Sequence, residues 1–362
     1  MTNPFSFGEK FRITAFGSSH GPSVGVEIEG CPRGVKISQE EIQLQLDRRK
    51  PGIGTLVSKR KEADKAIIES GIENGKTTGK KIRMLVKNND TRPENYSKFS
   101  DTPRPGHADF TSIAKYGGAQ SGGGFFSGRM TVAFVMAGAV AKKLLLQNGI
   151  STMAFSRQIG KMKLTGEVAD SAIASNTYKN AVRAPDSSVA AEMASEIERA
   201  MKAGDSVGGI VECRITGVTA GTGEPMFGSL ESRLSQAIFA IPGVKGIEFG
   251  SGFSSASMRG SEHNDEFLVK GNKIITSTNN AGGILGGLAS GMPIVFRVAF
   301  KPTASIFLEQ KTVSLKSMKP SLIKIEGRHD PCIAIRAVPV VENMAALCIA
   351  DVILRKEGEN ET

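Results

Sequence analysis

Ser23-Val-Gly-Val-Glu-Ile-Glu29 alternates apolar and polar residues, and Phe11-Arg-Ile-Thr-Ala-Phe16 before it has the same period of two. This period is typical of strands with one buried face. Further along the chain, Ser38 and Glu41 form a capping-box pattern, which predicts the start of a helix. The basic turn Arg48-Arg49-Lys50 suits the end of that helix. The N-terminal segment is therefore predicted as strand, loop, strand and helix.

A similar order recurs in the second half of the chain. Ser206-Val-Gly-Gly-Ile-Val-Glu-Cys213 resembles the stretch from Ser23 to Cys31, and it too precedes a predicted helix, at about 230–240. A few identities also arise by chance, so an internal duplication and an accidental similarity both stay open. No linker rich in Pro, Ser or charge separates the halves. We therefore expect residues 1–362 to form a single domain, with a pseudo-two-fold repeat if the duplication is real.

Further helices are predicted at about 127–147, 187–202 and 341–356, and further strands at about 210–218, 246–249 and 294–300. Helices and strands mix, but the connections are irregular. That mixture favours an α+β fold with antiparallel sheets over a regular doubly wound parallel sheet.

The composition is that of a globular protein, with 40% hydrophobic and 23% charged residues, and it excludes disorder as the main state. The four cysteines are far apart in the sequence, which favours reduced cytosolic thiols over a disulfide framework or structural zinc. The most apolar run, 130–146, contains Lys142 and Lys143, which favours a buried helix over a membrane span. No signal peptide is recognisable. We expect a soluble cytoplasmic protein.

The net charge of +10 leaves three interpretations open: a solvated basic surface, a nucleic-acid-binding surface, and a site for a small, highly anionic ligand. The absence of Trp and the presence of only three Tyr count against base stacking.

All four histidines lie in polar, turn-rich segments, and His20 and His107 are each next to a glycine. A lone histidine in a loop is usually structural or solvated, but imidazole is also suited to proton transfer near neutral pH. No pair has the i, i+4 spacing of a helical zinc site, so metal binding is disfavoured.

Glycine-rich segments are the other candidates for binding. Gly122-Gly-Gly-Phe-Phe-Ser-Gly-Arg129 precedes an apolar helix, so it is either an anion cradle with Arg129 as a partner or a flexible surface loop. A second segment, 279–287, is followed by a strand and then by Lys301-Pro-Thr-Ala-Ser305. Arg328-His329-Asp330 is either a positioned Arg and carboxylate or a solvated charge pair.

Taken together, these motifs resemble chorismate synthase. The resemblance rests on Gly17-Ser-Ser-His-Gly-Pro22, Arg104-Pro-Gly-His-Ala-Asp109 and Gly327-Arg-His-Asp-Pro-Cys-Ile-Ala-Ile-Arg336, and it extends from near Phe11 to Leu354. It implies helices sandwiched between antiparallel sheets, and a homotetramer. It also implies a lyase of aromatic amino acid biosynthesis that eliminates phosphate from 5-enolpyruvylshikimate 3-phosphate to give chorismate. That reaction requires reduced FMN without net redox change.

The resemblance also implies residue roles. His20 would protonate the departing phosphate, His107 would protonate the reduced flavin, and Asp330 with Ser19 would support proton removal. Substrate anions would be held by Arg49, Thr55, Arg129 and Arg328. Flavin contacts would come from Phe125, Phe126, Ser127, Pro242, Gly243, Gly286, Lys301, Pro302, Thr303, Ala304, Ser305 and Arg328.

Several positions at or next to these sites depart from the family pattern. They are Ser18, Thr55, Ser121, Phe125, Phe126, Pro242 and Gly243. We hypothesise that Phe125 or Phe126 packs on the flavin or on a subunit interface, where the family usually has polar flavin contacts. The chain lacks obvious room for the insertions of members that reduce their own flavin with NADPH, so an external reductant is expected. A catalytically silent flavin-binding protein of the same fold and a basic nucleic-acid-binding protein are the alternative functions.

Overall fold

The computed structural model describes residues 3–50, 56, 63–89, 99–118, 121–327 and 329–359. Its strands are β1 (Ser6–Phe7), β2 (Arg12–Gly17), β3 (Ser23–Glu29), β4 (Ile67–Ser70), β5 (Ile72–Glu73), β6 (Lys76–Thr77), β7 (Ile82–Lys87), β8 (Ser151–Ile159), β9 (Met162–Lys163), β10 (Gly209–Thr216), β11 (Val244–Phe249), β12 (Phe267–Lys270), β13 (Lys273–Thr276), β14 (Ile284–Leu285), β15 (Leu288–Ala289), β16 (Ile294–Phe300), β17 (Gln310–Ser314) and β18 (Lys319–Ile323). Its helices are α1 (Gln39–Arg49), α2 (Asp109–Tyr116), α3 (Thr131–Gln147), α4 (Asp170–Asn176), α5 (Ser187–Lys202), α6 (Leu230–Phe239), α7 (Gly260–His263) and α8 (Ala334–Glu359).

Four strands in each of two five-stranded antiparallel sheets share one strand plan, whereas the fifth strand precedes its neighbour in the chain in one sheet (β1) and follows it in the other (β9). The first has the order β1-β2-β3-β7-β4, and the second has the order β9-β8-β10-β16-β11. In chain order the first half runs β2, β3, α1, β4, β7, α3, and the second runs β8, β10, α6, β11, β16, α8. In both sheets the register shifts where the outer strand, β4 or β11, pairs with its neighbour. The shared plan supports an internal duplication over an accidental similarity.

A layer of helices lies between the sheets, as the resemblance to the family implied. Helix α3 packs on β2, β3 and β7, α8 packs on β8 and β10, and the two helices pack on each other. The two helices approach closely at Gly138, where the missing side chain leaves room for Asn343. A Cβ at Gly138 would lie 2.3 Å from the Cβ of Asn343. The segments Gly128–Gln147 and Ala334–Lys356 are apolar enough to span a membrane but are 72% and 94% buried, which identifies them as core helices.

Most of the predicted elements are confirmed. Helix α1 carries both halves of its capping box, with the Glu41 amide 3.3 Å from Ser38 Oγ and the Ser38 amide 2.9 Å from Glu41 Oε2. Helix α5 has the predicted bounds. The four cysteines are buried free thiols.

The helix expected at about 127–147 is present from Gly128 to Gln147, but its first turn, Gly128–Met130, is a 3-10 turn capped by Ser127, and α3 proper begins at Thr131. One helix start was predicted wrongly. Helix α8 begins at Ala334 rather than near 341, and it includes Pro339. Proline removes a backbone donor and usually interrupts a helix, but here burial of the surrounding apolar side chains stabilises it.

Candidate active site

A cavity of about 580 Å³ collects most of the predicted site residues. This volume is within the range of small-molecule sites. The predicted residues that line it are Arg49, His107, Phe125, Phe126, Ser127, Arg129, Pro242, Gly243, Lys301, Pro302, Thr303, Ala304, Ser305 and Asp330. Gly286 lies in the turn between β14 and β15, outside this lining. Thr55 and Arg328 lie outside the described residues.

Ser19 and His20 are not among the residues that line the cavity, and they lie behind the glycine run, of which Gly122 lines it. The fully buried Ser19 places its Oγ 3.1 Å from His20 Nδ1 and donates to the carbonyl of Gly122 at 3.2 Å. The imidazole lies directly against Gly122, since a Cβ there would be 1.9 Å from His20 Cε1. Only glycine fits at this position, both for its φ of 59° and for this contact.

The next glycine faces the other candidate acid. A Cβ on Gly123 would lie 3.4 Å from His107 Cε1. Two successive residues of the run therefore face His20 and His107, so the run lies between the two imidazoles.

His107 belongs to a buried charge cluster. Its Nδ1 is 2.8 Å from Asp109 Oδ1, while Arg104 Nε is 2.7 Å from Asp109 Oδ2 and Arg104 Nη2 is 2.8 Å from Asp109 Oδ1. Burial opposes ionisation of the carboxyl, but the hydrogen bonds from Arg104 and His107 outweigh it and hold the pKa of Asp109 well below its ordinary value. Arg104 also donates to Ser305 Oγ at 3.3 Å, which connects the cluster to the turn after β16.

Arg49 and Arg129 meet at one carboxylate. Arg49 Nη2 is 2.6 Å from Asp64 Oδ2, and Arg129 donates to the other oxygen of Asp64. Burial opposes ionisation of Asp64, but the two guanidinium groups lower its pKa nevertheless. Burial lowers the pKa of Arg49 to about 10. Two cations share one anion here, so the group keeps a net positive charge at the cavity wall.

Asp330 lies on another wall, four residues before the first residue of α8. Its Oδ2 accepts from Arg336 Nη1 at 2.5 Å, and its carbonyl accepts from Thr303 Oγ1 at 2.7 Å. Beside it, burial lowers the pKa of His329, whose Nε2 is buried without a hydrogen-bond partner among the described residues. Arg49 Nε is likewise buried without a hydrogen-bond partner among the described residues.

The remaining wall is aromatic. The rings of Phe125 and Phe126 lie 4.6 Å apart between centroids, and Phe5 and Tyr116 contact Phe125 edge-on at 5.5 and 5.4 Å. On the polar side, Lys301 donates to the carbonyl of Gly106, and burial lowers the pKa of its ammonium group.

The charges of the described residues define what the cavity can hold. Five cations line it, against three carboxylates in or just behind the wall. The cations are Arg49, Arg104, Arg129, Lys301 and Arg336, and the carboxylates are Asp64, Asp109 and Asp330. This excess of positive charge suits a small polyanionic ligand. His107 in the lining and His20 behind the glycine run are the imidazoles available for proton transfer.

The sequence analysis assigned no role to Asp64, Asp109, Arg104 or Arg336. Three of these four stand inside the quoted motifs, so position within a motif was a usable signal. Asp64 had none, because its partners Arg49 and Arg129 lie 15 residues before it and 65 residues after it, in no motif that includes Asp64.

Comparisons with known proteins agree with this geometry. The family model described as chorismate synthase matches residues 11–354. The chain belongs to the chorismate synthase family. A chorismate synthase from Korarchaeum cryptofilum is 50% identical over 96% of this chain and 97% of its own length, and one from Synechocystis sp. is 46% identical over 99% of both. A crystal structure of chorismate synthase superposes with a TM-score of 0.77 at 28% identity, covering 97% of this chain and 94% of the other.

Membership of the chorismate synthase family identifies the chain as a lyase of the shikimate pathway, which serves aromatic biosynthesis. The family is one of soluble metabolic enzymes and implies a flavin cofactor. The α+β fold with helices between antiparallel sheets is also that of the structural relative.

Proposed function

We propose that this chain eliminates phosphate and a proton from 5-enolpyruvylshikimate 3-phosphate to give chorismate, with reduced FMN bound in the 580 Å³ cavity and no net redox change. The observation that carries the proposal is a cavity lined by an excess of cations and by His107, with His20 directly behind Gly122 of the glycine run. The substrate bears two carboxylates and a phosphate, and FMN adds another phosphate. Such a set of anions requires a cavity with this excess of positive charge.

The cavity suits a flavin. Phe125 and Phe126 offer an apolar wall for a planar ring, and the orphaned Nε of Arg49 and Nε2 of His329 are polar atoms that a ligand can satisfy. We propose the flavin contacts Phe125, Phe126, Ser127, Pro242, Gly243 and the turn Lys301 to Ser305. We leave out Gly286, which lies outside the lining. When bound, reduced FMN supplies electron density transiently to the elimination.

Side chains of the protein itself carry out the proton transfers. His20 protonates the departing phosphate, because neutralising its charge makes the leaving group better, and Ser19 orients the imidazole. His107 holds a proton on the flavin side. Asp330, fixed by Arg336, supports proton removal together with Ser19. Arg49 and Arg129 bind the substrate anions.

The test is anaerobic turnover with chemically reduced FMN, following chorismate and phosphate together in His20→Ala and His107→Ala. Loss of a general acid typically costs 10²- to 10⁴-fold, and we expect losses of about this size in both variants. His263→Ala is the matched control, because that imidazole ends α7 and does not line the cavity. Near-normal turnover in both test variants would refute the assignment.

The replacement of polar flavin contacts by Phe125 and Phe126 favours one alternative, a catalytically silent flavin-binding protein of the same fold. Equimolar release of chorismate and phosphate excludes this alternative. Bound FMN without product establishes it.

We further propose that residues 1–362 are a single domain that forms a cytoplasmic homotetramer supplied by an external flavin reductant. One hydrophobic cluster runs through both sheets and the helical layer, which supports the single domain. Large exposed side chains, such as Phe227 at 97% and Phe253 at 85% exposure, support burial between subunits. Size measurement by light scattering tests the tetramer.

A further inference from the structure

We infer that Asp109 is the positioning residue for His107: it accepts the Nδ1 proton and leaves Nε2 as the atom that gains and gives up the exchangeable proton. This inference rests on the proposed role of His107 as an acid.

The contact is direct and buried. Asp109 is the first residue of α2, its side chain is 3% exposed, and its Oδ1 is 2.8 Å from His107 Nδ1. A carboxylate oxygen only accepts at this distance, so Nδ1 must carry the hydrogen. In a neutral imidazole the lone pair is then on Nε2.

Arg104 keeps the carboxylate ionised and in place. Its guanidinium binds both oxygens of Asp109, and its backbone amide donates to Oδ2 at 3.1 Å. Arg104 is itself fixed, since its guanidinium lies 4.3 Å above the ring of Phe99 and donates to Ser305. Asp109 therefore stays an acceptor and does not take the proton from His107.

Arg104 also approaches the imidazole, but it does not select the tautomer. Its Nη2 lies 3.1 Å from His107 Nδ1 and 3.2 Å from Nε2, almost equally close to both ring nitrogens. The shorter contact of Nδ1 with Asp109 Oδ1, 2.8 Å, selects it, because a carboxylate oxygen only accepts. This is the arrangement by which a neighbouring carboxylate selects one tautomer of a catalytic histidine.

The test is Asp109→Asn, with two readouts. In the unmodified protein without substrate, ¹⁵N NMR of the imidazole should show the Nδ1–H tautomer for His107. In the variant the Nε2–H tautomer should become populated, and kcat should fall by about 10²- to 10⁴-fold with KM within about threefold. Asp186→Asn is the matched control. It makes the same change at the N-cap of α5, where Asn caps as well as Asp, and should leave both readouts unchanged.

An Nε2–H tautomer in the unmodified protein would overturn the inference, and this result needs no variant to fold. An unchanged tautomer in a folded Asp109→Asn protein would overturn it too. The two hypotheses fail separately. Normal turnover in His107→Ala refutes the proposed acid and leaves the tautomer result standing, whereas a wrong tautomer refutes the role of Asp109 alone.

Discussion

Gly122→Ala is a single substitution that directly tests the position of His20 against the glycine run. The new methyl group would lie 1.9 Å from His20 Cε1 and 2.1 Å from Nδ1, at a residue with a φ of 59°. Carbon atoms in ordinary contact are about 3.5 Å apart, so the imidazole or the backbone must retreat by roughly 1.6 Å. The left-handed backbone adds about 1–2 kcal/mol of strain for a residue with a side chain.

These two effects predict different measurements. Displacement of a catalytic group by about 1 Å can cost on the order of 10²-fold in rate, so we expect kcat to fall by at least about 10²-fold. The backbone strain should lower the free energy of unfolding by about 1–2 kcal/mol. The assays are anaerobic chorismate formation with reduced FMN and denaturant unfolding of the same preparation.

Gly149→Ala separates the two effects. Gly149 has a φ of 69°, nothing lies within 4 Å of its added Cβ, and it follows α3 at the end away from the cavity. It should lose a similar amount of stability and keep its kcat. If Gly122→Ala kept a kcat within about threefold of Gly149→Ala, the reasoning that His20 acts from its place against the glycine run would be refuted.

Three further predictions concern the cavity wall and the core. Asp64→Asn should lower the free energy of unfolding at pH 7 by about 3–5 kcal/mol, because two buried guanidinium groups lose their counter-ion. Since the folded-state pKa of Asp64 is lowered, this stabilisation is complete above about pH 4 and is lost as pH falls through the folded value, so unfolding curves of the two proteins should converge in acid. Phe125→Ala and Phe126→Ala should each weaken FMN binding about tenfold, or ~1.4 kcal/mol, in a fluorescence titration, and unchanged affinity in both excludes packing on the flavin. Gly138→Ala should lower stability by at least about 1–3 kcal/mol in thermal unfolding, because its Cβ would lie 2.3 Å from that of Asn343, and an unchanged Tm would contradict the close helix contact.

Local patterns predicted those elements whose ends are set by local chemistry. Ser38 and Glu41 specify the start of α1 through two hydrogen bonds three residues apart, and α5 begins at its Asp186 cap. The start of α8 was missed because Pro339 argues against a helix locally, while burial by distant segments stabilises it. Sequence periodicity carries no information on that burial.

The same distinction applies to the site. His20 and His107 were identified because each stands beside glycine in a recognisable motif. Their arrangement around the glycine run depends on a contact between Ser19 and Gly122, 103 residues apart. Asp64 joins two arginines from different elements, and no spacing in the sequence indicates this pairing. Partners that are brought together only by the fold require the structure.

The repeat explains why the cavity is where it is. Helices α3 and α8 occupy equivalent places in the two halves, and both begin at the cavity, which Thr131 lines from one and Ala337 from the other. The N-terminal end of a helix carries partial positive charge and free amide groups, so two such ends favour anions at this place. The segments that lead into them differ: Arg129 and the glycine run precede α3, and Asp330 precedes α8. The shared strand plan thus brings two helix N-termini to the cavity, and the unequal lead-in segments supply the residues proposed for catalysis.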